Sequence, residues 1–100
     1  MNGQHFEFEW DDAKAAANVR KHDVPFELAR TVFNDPRLIT IADLEHGETE
    51  ERWFSIGSAS DGKIFAIAYL WSESGTMTKI RLISARNATQ KEIRQYWESL

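Results

Sequence analysis

The sequence predicts an α+β fold, a mostly antiparallel sheet with two N-terminal helices and one C-terminal helix. Three observations carry that expectation. The apolar period is two in "FEFEW" and the runs are β-branched and aromatic in "ERWFSIGS", "KIFAIAYLW" and "KIRLISAR", whereas "DDAKAAANVRKH", "PFELARTVF" and "TQKEIRQYW" repeat at helical spacing. The strand-like stretches follow one another across short reversals, the order of a meander. One hundred residues, 42% hydrophobic and 28% charged, suit a single core, so residues 1–100 read as one domain.

Phe6 to Trp10 alternates apolar and acidic side chains, the pattern of a short half-buried strand. Asp11 to His22 is alanine-rich, with carboxylates in its first turn and cations in its last, which suits a helix and its dipole. Steps of about 100° per residue put Asp11, Lys14, Asn18, Lys21 and His22 on one arc and Ala13, Ala16 and Ala17 roughly opposite. The alanine side is therefore expected to pack, and the polar arc to face outward. Asp23 is a candidate cap and Pro25 a first-turn residue for a second helix, with Leu28, Ala29, Val32 and Phe33 at helical spacing and "NDP" as its stop. "RLITIA" is strand-like and leads into the acidic stretch Asp43 to Glu51. "ERWFSIGS" and "KIFAIAYLW" are strands joined at "ASDG", and Gly75 marks the next reversal. Ile64 to Trp71 is apolar at both parities, so it should be central and covered on both sides, one cover being a possible place for a partner protein. Thr89 and Glu92 fit a capping box, and Ile93, Tyr96, Trp97 and Leu100 form an apolar stripe on the last helix.

Composition removes several functions. With no cysteine there are no disulfides, thiolate zinc sites or cysteine nucleophiles. The N-terminus has no apolar run behind a basic segment and no window reaches membrane-spanning length, so a cytoplasmic location is expected. The net charge of −4 does not advertise nucleic-acid binding, but its uneven distribution can create a basic face on an acidic protein, unless the basic and acidic regions neutralise each other in space. Residues 76–100 hold five of the 12 Lys and Arg and two of the 16 Asp and Glu, a basic island; Asp43 to Glu51 holds five carboxylates and no cation.

The basic island supplies the first candidate site. Arginine is costly to bury unpaired and usually sits where a carboxylate or phosphate can meet it. Lys79 and Arg81 share strand parity, and Arg86 falls on the opposite parity unless the strand bends or ends. Each arginine is either an anion ligand or the cation of a structural ion pair with a residue such as Glu50, Glu51 or Glu92. The second candidate is the helix arc Lys14, Asn18, Lys21 and His22. As a solvated face it would do nothing; as a site it combines phosphate-binding cations with a histidine at a helix C-terminus, where a proton is favoured. The third, Asp43, Glu45, His46, Glu48 and Glu50, has carboxylates for a metal but no zinc or EF-hand spacing, and reads as a solvated loop. The four tryptophans and six phenylalanines are spread over every element and read as core. Glycine-rich phosphate loops and Ser-His-Asp signatures do not occur.

"WDDAKAAANVRKHDVPFELARTVFNDP", then Asp43, His46, Glu51-Arg52 and Ile56-Gly57, and finally "RLISARNATQKEIRQYWE", resemble the BrnT family of toxins. The resemblance runs from about Phe6 to Glu98. It implies a RelE-like fold and a bacterial type II toxin–antitoxin component that inhibits growth by cutting RNA without a metal or other cofactor. It also implies a BrnA-like antitoxin with a ribbon-helix-helix part, bound in a hetero-oligomer that contacts DNA only through the antitoxin. Site residues carried by the resemblance are His22, Arg52, Arg81 and Arg86 for catalysis and Lys14, Asn18 and Lys21 for RNA; Lys79 joins the RNA set from the basic strand. One departure stands out: Asp23 replaces the glycine that often ends the first helix in a left-handed turn. Two other readings use the same residues. One is a non-catalytic module that acts with a DNA-binding antitoxin in transcriptional autoregulation; the other is an RNA-binding domain without cleavage.

Overall fold

The computed structural model describes residues 5–42 and 51–99. Strand β1 (His5–Glu9) is followed by helix α1 (Asp12–His22) and helix α2 (Phe26–Ala29), which runs on as a 3-10 turn over Arg30–Asn34. Then come β2 (Ile39–Ala42), β3 (Glu51–Ser58), β4 (Ile64–Ser74), β5 (Met77–Asn87) and helix α3 (Gln90–Glu98). The five strands form one sheet in the order β1-β5-β4-β3-β2, antiparallel except where β1 lies parallel to β5. The meander predicted for β2 to β5 is present, with β4 in the centre. Among the described residues no helix is long and apolar enough to cross a membrane.

One sheet face carries the core. Phe65, Ile67 and Tyr69 of β4 and Ile80, Leu82 and Ala85 of β5 pack against Val24, Phe26, Ala29 and Val32, all buried. β-branched and aromatic side chains at alternate positions present their apolar area to one side, and that burial is the main favourable term in the fold. The turns follow their residues: Gly62 at φ 88° and Gly75 at φ 61° adopt the left-handed region that reversals between these strands require. Gly57 sits in a tight place: a Cβ there would meet Leu38 Cδ1 at 2.6 Å and Val32 Cβ at 3.2 Å, so the Leu38 side chain would have to shift.

Helix α1 packs the other way round from its projection. Ala13, Ala16 and Ala17 are exposed, whereas Asn18, placed on the solvent arc by the sequence, is buried at 6% exposure. The reason is a set of hydrogen bonds no helical projection contains. Asn18 Nδ2 donates to the carbonyls of Val24 (2.9 Å) and Ala85 (2.7 Å), and its Oδ1 accepts from the Ala85 N–H at 3.1 Å. Strand β1 pairs with β5 only as far as Arg81, so the Asn18 carboxamide satisfies backbone groups further along that edge.

Asp23 also changes role. It does not cap α2, whose N-cap is Pro25; it ends α1 at φ 58°, ψ 35°, donating its N–H to the Val19 carbonyl at 2.8 Å. An aspartate tolerates this left-handed conformation better than most residues, and it fills the place where glycine is usual.

Helix α3 begins with the predicted box: Thr89 Oγ1 accepts from the Glu92 N–H (3.1 Å), and Glu92 Oε1 accepts from the Thr89 N–H (2.9 Å). Its stripe is only half used. Tyr96 is buried, but Trp97 is 51% exposed, edge-on to Tyr96 and 5.5 Å beneath the Arg37 guanidinium. Leu100 lies outside the described residues. Tyr96 donates its hydroxyl proton to Asp35 Oδ2 at 2.6 Å, and the same carboxylate accepts from the Ser58 and Arg37 N–H groups at 2.8 and 3.0 Å. Burial pushes the Tyr96 phenol up to about 12, helped by the Asp35 hydrogen bond. Burial also works to raise Asp35, but its three hydrogen bonds outweigh it and hold the carboxyl below its usual value.

Candidate functional site

The site begins with an irregularity in β5. Tyr69 faces Leu82 and Ala68 faces Ser84, so Ile83 is an extra residue in the strand. Residues opposite one another in an antiparallel pair project to the same side. Arg81 lies opposite Leu70, Ser84 opposite Ala68 and Arg86 opposite Ala66, which are alternate residues of β4. Arg81 and Arg86 therefore share a face, contrary to the parity expected from an unbroken strand; the inserted residue resets the alternation. Their β4 partners are four residues apart, roughly 13 Å along a strand.

Neighbouring strands extend this face. Arg52 of β3 lies opposite Leu70, so Arg52, Leu70, Arg81 and Glu9 form one row across four strands, with Phe54, Ala68 and Ser84 in the next. At the end touched by α3, Ile56 and Ala66 are buried; towards the other end Phe54 and Leu70 are partly covered, and Ile41 is 48% exposed. The cover expected for both sides of β4 is thus present on one side and partial on the other.

The predicted residues of α1 gather at the edge of this face. Lys14, Ala17, Asn18, Lys21 and His22 line a cavity of about 200 Å³ with Ile83 and Ser84 of the bulge. Lys14 and Lys21 are exposed and His22, the last helical residue, is half-buried. Ser84 belongs both to this cavity and to the arginine face, so the bulge joins the two candidate groups. Asn18 contributes through its backbone-bound amide, which is occupied by Val24 and Ala85.

The two arginines differ in what holds them. Arg81 Nη1 donates to Glu9 Oε2 at 3.1 Å, and Lys79 Nζ lies 3.9 Å from Glu9 Oε1; the side chains of Arg81 and Glu9 are 43% and 40% exposed. Such a pair is weak, because water screens it. Arg86 donates from both terminal nitrogens to Glu92, at 2.7 and 3.0 Å, and lies 5.6 Å from the centroid of the Phe54 ring. The forked contact with Arg86 pulls the Glu92 carboxyl down to about 2, against the opposing effect of burial. Glu92 was among the partners foreseen for an arginine of this strand; Glu9 was not. Its signal was local, the acidic alternation of "FEFEW", while its partner stands 72 residues away.

Among the described residues no three His, Asp or Glu side chains cluster as metal ligands. Asp43, Glu45, His46, Glu48 and Glu50, the candidate metal loop, lie outside the described residues, as does most of the acidic stretch. Residues 10–92 match the family model described as the ribonuclease toxin, BrnT, of type II toxin–antitoxin systems. The chain belongs to the BrnT family. The matched segment contains Lys14, Asn18, Lys21, His22, Arg52, Lys79, Arg81, Arg86 and Glu92, and begins one residue after Glu9. Among solved structures, the 1.1 Å crystal structure of the Brucella abortus ribonuclease toxin BrnT has a similar fold, with a TM-score of 0.61 and 20% identity over 86% of this chain and 100% of that one. No curated protein matches the sequence.

Proposed function

We propose that this BrnT-family protein is a metal-independent endoribonuclease, active in the cytoplasm and inhibiting growth until a BrnA-like ribbon-helix-helix antitoxin binds it. The toxin would meet DNA only through that antitoxin, in a hetero-oligomer. The observation that carries the proposal is the bulge at Ile83, which turns Arg81 and Arg86 to one face and sets Ser84 in the cavity of Lys14, Lys21 and His22. That the arginine face adjoins the Lys14, Lys21 and His22 cavity at Ser84 supports the reading, because cleavage of a phosphodiester by its own ribose hydroxyl requires cations and a proton-transfer group.

In that reaction the 2′-oxygen attacks the adjacent phosphorus and the bond to the 5′-oxygen breaks. Arg81, with Arg52 in the same row, neutralises charge on the phosphoryl oxygens, and Arg86 supports the same face from beside α3. His22 delivers a proton to the leaving 5′-oxygen. Lys14, Lys21 and Lys79 hold the flanking backbone, a contact that positions RNA without reading sequence. The test is induction of the chain alone in a bacterium, with growth and RNA integrity followed. Arrested growth with fragmented RNA is expected, and both should disappear in Arg81→Ala and His22→Ala variants whose circular dichroism is unchanged. Toxicity that survives both substitutions rules out this site.

A second reading, a non-catalytic module that holds an antitoxin in an autoregulatory complex, is favoured by one observation. Arg81 and Arg86 already have carboxylate partners, and the partly covered face around Phe54, Leu70 and Ile41 could receive a protein. Stable RNA after induction, with retained antitoxin binding, would select it.

A further inference from the structure

We propose that Glu9 is the general base of the RNA cleavage, an inference that rests on the ribonuclease reading above and adds the proton acceptor it leaves open. Attack by a 2′-hydroxyl needs a group to take its proton, and the cations of the site, each a donor when charged, do not supply one. Of the carboxylates described on or beside the arginine face, Glu92 has both oxygens engaged by Arg86 and Thr89, and Asp11 Oδ1 caps the Lys14 N–H. Glu9 is held differently. Its Oε2 takes one hydrogen bond from Arg81, while Oε1 has, among the described residues, the Lys79 ammonium at 3.9 Å as its one charged neighbour, on a side chain 40% exposed.

The arrangement places an acceptor oxygen next to the guanidinium proposed to bind the phosphoryl group. Arg81 uses Nη1 for Glu9 and keeps its other N–H groups for phosphoryl oxygens. Arg81 therefore orients the base and holds the electrophile at once, which fixes the 2′-oxygen between them. Glu9 Oε1 removes the 2′-hydroxyl proton as the bond from that oxygen to phosphorus forms. The bond from phosphorus to the 5′-oxygen breaks, and His22 protonates the departing oxygen. The products are a 2′,3′-cyclic phosphate and a 5′-hydroxyl; the reaction consumes no water in this step and leaves Glu9 protonated and His22 deprotonated. Glu7, two residues earlier on the same strand, lies opposite Lys79 rather than Arg81 and serves as the control.

The experiment compares purified wild-type protein, Glu9→Gln and Glu7→Gln on a mixed-sequence oligoribonucleotide pool, with product ends read by mass spectrometry. Glutamine keeps an acceptor for Arg81 and removes the base. Cyclic phosphate ends from the wild type, a kcat about 100-fold lower in Glu9→Gln at unchanged KM, and normal cleavage by Glu7→Gln are expected. Loss of the acidic limb of the pH–rate profile in Glu9→Gln should accompany the fall in kcat. Wild-type-like cleavage by Glu9→Gln overturns the assignment while leaving the ribonuclease reading intact. A rise in KM with kcat unchanged also overturns it, assigning Glu9 to the placement of Arg81. A wild type that leaves the pool uncut overturns both the base and the ribonuclease reading.

Discussion

Arg81 and Arg86 share a strand, a face and a residue type, and they are held to different degrees. Arg81 meets Glu9 through one hydrogen bond with both side chains about two-fifths exposed, while Arg86 is forked onto a Glu92 whose side chain is 16% exposed and also closes the cap of α3. An exposed single contact is exchanged for a ligand phosphate at little cost, whereas breaking a two-bond contact that also caps a helix disturbs the helix. The comparison teaches that two arginines of one face can differ in how readily they would exchange their carboxylate for another anion. Arg81 is the weakly held charge and Arg86 the anchored one.

The largest expected effect separates the two by activity. Arg81→Ala should lower cleavage by roughly 100- to 1,000-fold, the usual loss for one transition-state donor, with the melting temperature nearly unchanged. Equal thermal destabilisation by Arg81→Ala and Arg86→Ala would break the comparison. Next comes the bulge both arginines depend on. Asn18→Ala removes three hydrogen bonds to buried backbone groups and should cost about 2–3 kcal/mol in chemical denaturation, with faster hydrogen exchange at the Ala85 N–H. Unchanged exchange at Ala85 would mean that something else holds this edge.

The anchored pair has a pH signature. Glu92 ionises near 2 in the fold and near 4.5 when free, so the folded value is depressed. Its contribution is complete above about pH 5 and disappears as pH falls towards 2, roughly 1–2 kcal/mol once solvent screening at the 36% exposed Arg86 side chain is allowed for. Glu92→Gln should flatten stability over that window, and a slope equal to the wild type's would reject the anchor. The smallest effect is spectroscopic. The chain has two tyrosines, and burial raises both; Tyr96 reaches about 12, so its neutral form is favoured by the fold up to pH 10 and that stabilisation is lost as pH climbs towards 12. The Tyr96 share of the tyrosinate absorbance should be nearly absent at pH 10, and Asp35→Asn should bring the Tyr96 titration down. A Tyr96 half ionised at pH 10 in the wild type, read as the difference from a Tyr96→Phe variant, would show that α3 is not docked through Asp35.

How much of this was legible in the chain depends on the distance over which each feature is decided. Thr89 and Glu92, three residues apart, announce their own cap; Gly62 and Gly75 announce their turns; and the bounds of β3 follow from a run of residues that suit a pleated surface. Arg81, Arg86, Lys14, Lys21 and His22 could be singled out because charge and helix position are local properties. Each of these needs only the covalent chain and a few neighbours.

Tertiary structure decided the rest. A helical projection turned the alanine side of α1 inward because it counts apolar area, and it cannot know that Asn18 would find a backbone carbonyl and N–H 67 residues away. Strand parity set the two arginines on opposite faces because a bulge has no sequence mark here and exists only as a register between β4 and β5. Glu9 became visible only when β1 lay parallel to β5, and this pairing joins the two ends of the chain. The sequence by itself determined the elements, their caps and the supply of cations. Which face those cations share, and which carboxylate stands beside each, was settled by contacts between distant segments, where hydrogen bonding and burial outweigh local preference.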